Sequence, residues 1–114
     1  MKELEIIIQP YKIENLKRIL DSEGATGVMI TQIFGYGREK GQPHQHYTRD
    51  EHVGINLMPK LDVRTVVKDE IVESLMIKIQ QEFNTGSFGD GKIFVRPIED
   101  AMRIRTGERG DDAI

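Results

Sequence analysis

The apolar residues switch twice between a two-residue and a three-to-four-residue spacing, and this alternation limits the folds open to the chain. Leu4, Ile6 and Ile8 fall on one side and Ile7 on the other, predicting a strand over residues 3–9. Pro10 removes a ladder donor and ends it. From Tyr11 to Glu23 the apolar positions become Ile13, Leu16 and Leu20, an amphipathic helix that Gly24 stops. Val28, Ile30 and Phe34 alternate again as a second strand. After a long interruption the order repeats. Leu61, Val63, Thr65 and Val67 predict a third strand, and Asp69 to about Asn84 a second helix carrying Ile71, Leu75 and Ile79. Asp69 and Glu70 suit the positive end of that helix dipole. Gly86 closes the helix, Ile93 to Val95 open a fourth strand, and a short extended piece, Met102 to Arg105, precedes a polar tail.

Two β-α-β units predict an α+β chain with the ferredoxin-like double βαβ sandwich, one antiparallel sheet with both helices on one face. At 114 residues this is a single domain over 1–114, with a long loop at 35–58 and a C-terminal loop and tail at 103–114. The sheet face without helices carries Ile7, Met29 and Val66, so a half-apolar, uncovered face is expected, and with it oligomerisation. The 35–58 loop holds Gly35, Gly37 and Gly41 and all three histidines. Connections this long inside a compact domain are often functional.

Zero cysteines exclude a disulfide framework, thiolate chemistry and Cys-ligated zinc. The net charge of −3 speaks against a nucleic-acid binder, whose affinity rests on phosphate contacts. No run approaches the roughly 18 apolar residues of a membrane span, and acids in the first turn exclude a signal peptide. A cytoplasmic address is expected.

Three basic or glycine-rich clusters stand at predicted strand ends. Gly86-Ser87-Phe88-Gly89-Asp90-Gly91-Lys92 matches the body of a phosphate-binding loop, with glycines that free the backbone and a mobile cation at the exit. Ile93 stands where a magnesium-binding hydroxyl belongs, and the order is helix then strand, so a tight helix-to-strand connection explains the segment equally. Arg103 and Arg105 leave one face of an extended piece and need either an anion or carboxylates between them. Gly35, Tyr36, Gly37, Arg38, Glu39, Lys40 and Gly41 again suit close approach to phosphate. His44, His46 and His52, near Asp50 and Glu51, have the spacing of a metal site, but solvated polar side chains are the commoner use of such a loop. No catalytic constellation is recognisable, so no enzyme is expected.

Four separated stretches in order resemble the PII signal-transduction family: Ile7 with Pro10 and Lys12, Gly35 to Gly41, Thr85 to Val95, and Arg103 to Ile114. The resemblance implies a homotrimer that binds ATP or ADP between subunits, with magnesium accompanying ATP. It implies that the long loop contacts a target such as an ammonium transporter or an enzyme or regulator of nitrogen metabolism. By the family pattern, Gly35, Gly37, Arg38 and Gly89, Asp90, Gly91 and Lys92 surround the phosphates, Arg103 and Arg105 join them from the neighbouring subunit, and Ile7 and Val66 lie towards the base. Met29 stands where the family offers a threonine hydroxyl to adenine, a lost hydrogen bond of about 1 kcal/mol.

Three departures bear on mechanism. Glu39 replaces the glutamine that helps hold magnesium and 2-oxoglutarate in many members. A carboxylate can still ligate magnesium. Against a dianion, a like-charge contact at ~4 Å and an effective dielectric of roughly 20 costs up to about 4 kcal/mol, which argues against 2-oxoglutarate sensing. Lys60, matching the effector-pairing lysine, is retained. His52 occupies the position of the tyrosine uridylylated in some bacteria, leaving Tyr47 and Thr48 as candidates for modification. The loop is about two residues longer than usual, and Gln42 to Asn56 is unlike the usual target-facing sequence. The alternatives to a nucleotide-responsive regulator are a slow ATP-hydrolysing enzyme using Glu39 to position water, and a structural, metal-sensing or otherwise divergent trimer with a non-standard target.

Overall fold

The computed structural model describes residues 1–36 and 57–114. Four strands, β1 (Lys2–Ile8), β2 (Met29–Gly35), β3 (Met58–Val67) and β4 (Lys92–Pro97), form one sheet in the order β2-β3-β1-β4. Every neighbouring pair is antiparallel. Helices α1 (Ile13–Ser22) and α2 (Asp69–Phe83) cover one face. This is the expected ferredoxin-like arrangement.

Strand alternation decides which side chains meet the helices. Leu4, Ile6 and Ile8 of β1 and Val63 and Val67 of β3 are buried against Leu16 and Leu20 of α1 and Leu75, Ile79 and Phe83 of α2. Thr65 shares that buried row because its hydroxyl donates to the Gly27 carbonyl at 2.7 Å. Helix α1 begins after a 3-10 turn at Pro10–Lys12, later than the expected Tyr11. It ends where Gly24 takes φ +82 and the Ala25 amide donates to the Leu20 carbonyl. Leu75 is wholly buried, so Leu75→Ala is expected to cost about 3 kcal/mol in urea unfolding. A loss below about 1 kcal/mol would remove Leu75 from the core.

Two expectations of the strand pattern need correction. β3 starts at Met58 rather than Leu61, with Pro59 opposite Phe34 and Lys60 opposite Ile33. Pro59 is tolerated because β1 ends opposite Leu61, so no ladder bond is owed on that side. Met102 to Arg105 is not a strand. Met102 bridges to Arg109, and the chain between them turns back, with the Gly107 amide on the Arg103 carbonyl at 2.7 Å and Gly107 at φ +75. The alternation that placed Arg103 and Arg105 on one face therefore does not exist.

The uncovered sheet face is half apolar, as expected: Ile7, Met29 and Val66 lie on it, and a band of charge runs between them. Arg64 reaches Glu5 at 2.9 Å and Asp62 at 3.1 Å, and Arg96 reaches Glu3 at 3.1 Å and Glu5 at 2.6 Å. The Arg96 guanidinium above all holds the Glu5 carboxyl below the usual range, with Arg64 adding to it. A face built this way is specific rather than merely sticky, because a partner must leave each charge paired.

Candidate nucleotide site

The glycine-rich connection from α2 to β4 is held by its own side chains. The Asn84 amide oxygen accepts from the Gly86 amide at 3.0 Å, Thr85 Oγ1 from the Ser87 amide at 3.3 Å, and Ser87 Oγ from the Gly89 amide at 3.1 Å. The Asp90 carboxylate accepts from both the amide and the hydroxyl of Thr85. These bonds, the Thr85 hydroxyl's first, hold the Asp90 carboxyl below its ordinary value, and the nearby Lys12 ammonium adds a smaller pull. The amides of Thr85, Gly86, Ser87, Gly89 and Asp90 thus donate within the segment itself. Asp90 acts here as a brace of the loop.

Gly91 has a second reason to be glycine. Its φ is +109, and an added Cβ would stand 2.0 Å from the carbonyl oxygen of Ile7. The loop therefore lies directly on β1, and Lys92, the first residue of β4, sits opposite Ile7. Strand pairing puts Ile7, Lys92 and Asp62 in one row of the uncovered face, with Lys60 two residues beyond Asp62 on β3. Lys92 is exposed and its ammonium makes no ion pair among the described residues. Lys60 is buried, and Gly35 closes β2 opposite Met58 at this same end. Gly37, Arg38 and Glu39, and the histidines 44, 46 and 52, lie outside the described residues.

Of the remaining predicted site residues, Val66 stands at the other end of the sheet and Met29 near its middle. Val66 lies opposite Glu3, and Met29 opposite Arg64. β4 leaves the sheet at Pro97, opposite Lys2, and the Ile98 amide donates to the Met1 carbonyl. The turn carrying Arg103 and Arg105 follows from there. Ile114 lines a small cavity with Val66, Val67 and Lys68, which fixes the tail at this end too. Lys92 and Pro97 are five residues apart, so the two ends are separated by roughly 17 Å at the usual strand rise. Arg103 pairs with Glu108 at 2.9 Å, the carboxylate alternative left open for it. Arg105 has no ion pair among the described residues. One protomer thus gathers Ile7, Gly35, Lys60 and Gly89 to Lys92 at one end, with Met29 mid-sheet, Val66 at the other end, and Arg103 and Arg105 in the turn that follows β4.

A cavity of about 330 Å³ opens on the helix side of the sheet, between α2 and β4, bordered by Ile8, Phe83, Asp90, Gly91 and Lys92. It shares only three residues with the predicted site, because Ile7, Lys60 and Val66 face the opposite side. Sequence reasoning missed Gln9, whose amide nitrogen donates to the Gly89 carbonyl at 3.2 Å, and the contacts of Lys12 beneath the loop. The nearest signal for Lys12 is a cation in the Pro10 turn, between an apolar strand and an apolar helix. Among the described residues no group of three or more acids or histidines is placed to hold a metal, and no helix is long and apolar enough to cross a membrane.

Comparison with known proteins identifies the family. The family model described as nitrogen regulatory protein P-II matches residues 1–108. Proteins named nitrogen regulatory protein P-II are similar over their full length and the full length of this chain: that of Rhodospirillum rubrum at 45% identity over 114 residues, that of Azospirillum brasilense at 43%, and that of Haemophilus influenzae at 40%. With an unbroken match across both β-α-β units, the chain belongs to the nitrogen regulatory protein P-II family.

Proposed function

We propose that the chain is a nucleotide-responsive regulator rather than a catalyst. It works as a homotrimer that holds ATP or ADP in clefts between subunits, with magnesium accompanying ATP. The division of the site residues between two ends of one sheet carries this reading. Lys92 opens β4, and Arg103 and Arg105 follow its far end, roughly 17 Å along the strand, so the reading assigns the arginines at each Lys92 to a neighbouring subunit. A head-to-tail ring brings the Lys92 end of one subunit to the Arg103 and Arg105 end of the next and completes every site alike.

In this reading Gly35, Gly37, Arg38 and Gly89 to Lys92 take the phosphates, the neighbour's Arg103 and Arg105 neutralise them, and Ile7, Met29 and Val66 pack towards the base. Occupancy by ATP or ADP changes the contacts at Arg38 and Glu39 and shifts the 35–58 loop between arrangements that fit a target or do not. The target is a protein, such as a transporter or an enzyme of nitrogen metabolism. Neither nucleic acid nor membrane insertion is involved. Lys60 faces the same end, but the Glu39 carboxylate opposes a dianionic effector.

Calorimetry with ATP and ADP, with and without magnesium and 2-oxoglutarate, tests the reading. The protein is expected to bind both nucleotides, with 2-oxoglutarate leaving the ATP affinity unchanged. Failure to bind either nucleotide overturns the proposal. Tightening by 2-oxoglutarate overturns the argument from Glu39 alone.

A further inference from the structure

We propose that Lys12 is a positioning residue for the Gly86–Lys92 loop: its buried ammonium ties the end of β1 to the end of α2 and to Asp90. The inference rests on the nucleotide-binding reading above. Lys12 is only 6% exposed, so its cation has been taken out of water. Its Nζ donates to the Phe83 carbonyl at 3.5 Å and stands 3.7 Å from Asp90 Oδ1. It lies 5.6 Å from the centre of the Phe83 ring and 5.9 Å from that of Tyr11.

Partners this long do not recover the full cost of burying an ammonium, and a well-packed apolar side chain serves stability as well or better. What an apolar residue cannot do is join three separate backbone segments at one point. The Phe83 carbonyl is at the negative end of α2, and Asp90 holds both the amide and the hydroxyl of Thr85. Gln9 adds a tether to the Gly89 carbonyl, and Ile7 gives the carbonyl floor on which Gly91 rests. The stretch from Ile7 to Lys12 thus grips the loop at Gly89, Asp90 and Gly91. The loop then presents Lys92 in one place before any ligand arrives, and pre-organisation of that kind lowers the ordering cost of binding.

The test compares Lys12→Met, which keeps the apolar stem, with Lys92→Ala and the unaltered protein. It measures ATP affinity at two salt concentrations and amide hydrogen exchange without nucleotide. Lys12→Met is expected to weaken ATP binding about tenfold, the scale seen when groups that orient metal ligands are removed. Exchange should quicken at Thr85 and Gly89 while β1 and β3 stay protected. The salt dependence of affinity should match the unaltered protein, because Lys12 never touches the ligand, whereas Lys92→Ala should flatten it. Asp90→Asn, which removes the charge opposite Lys12, should likewise weaken binding and quicken exchange at Thr85. These two readouts serve if Lys12→Met does not fold. The salt comparison is confined to Lys12, because Asp90 itself borders the phosphates in the nucleotide reading. Unchanged affinity in the Lys12 and Asp90 variants, with Lys92→Ala impaired, overturns the inference and spares the nucleotide reading. Uniformly faster exchange reduces Lys12 to a stability role and overturns it as well. If the unaltered protein binds no ATP, both fall.

Discussion

Replacing Gly91 by alanine is expected to destabilise the protein by about 3 kcal/mol or more, a tail value among single substitutions. Two costs combine. The backbone at φ +109 is one that side chains with a Cβ rarely adopt, worth about 1–3 kcal/mol of strain. The new carbon would also stand 2.0 Å from the Ile7 carbonyl oxygen and 3.2 Å from its carbon. β1 cannot retreat, because it pairs with β3 on one side and β4 on the other. The loop must move instead, and Lys92 with it, so nucleotide binding should fall too. Gly86→Ala is the control. Gly86 has φ +79 but open space around its Cβ position, so only the conformational cost of about 1 kcal/mol is due. Urea unfolding with an unchanged slope distinguishes the two. Equal losses at both positions would remove the close approach to Ile7 as the reason for Gly91.

The second large effect tests the proposed sharing of the nucleotide site between subunits, which requires the outcomes that follow. Lys92→Ala removes a charge-assisted contact to phosphate, worth about 1.5–3 kcal/mol, and should weaken ATP binding roughly 10- to 100-fold. The pair Arg103→Ala with Arg105→Ala should do at least as much from the opposite end of the sheet. Unfolded together, mixed and refolded, the two defective proteins should regain tight binding at about a quarter of the sites. In a head-to-tail ring that is the share of clefts taking both intact halves by chance. A site contained within one protomer predicts no recovery at all. Calorimetric stoichiometry reads the difference directly, and full affinity in the Lys92 variant would dismiss Lys92 from the site.

Periodicity made most of the architecture legible, since each strand and helix writes its buried face into local spacing. Leu4, Ile6 and Ile8 were marked as one face by their alternation with Glu5 and Ile7, and they are buried as such. Leu75 and Ile79 were equally readable from a helical stripe. The charge network on the uncovered face was less readable. Glu3, Glu5, Asp62, Arg64 and Arg96 each look like ordinary solvated residues until register puts Glu5 opposite Arg64 and beside β4. The turn at Arg103 to Gly107 was misread because Met102, Ile104 and their arginine neighbours mimic a strand. Ile104 is in fact 92% exposed, so no sheet claims it.

The sequence by itself determined the order of elements, the faces they bury and the basic and glycine-rich clusters proposed for a phosphate, because these follow from local spacing and side-chain chemistry. It could not determine that those residues divide between two ends of one sheet. That depends on register and strand order, which arise from pairings between segments as distant as β1 and β4. Lys12 shows the same limit: a lysine beside Pro10 reads as solvated until Phe83 and Asp90, more than seventy residues away, close over it. Long-range contact, not local propensity, buries that cation and gives it its partners.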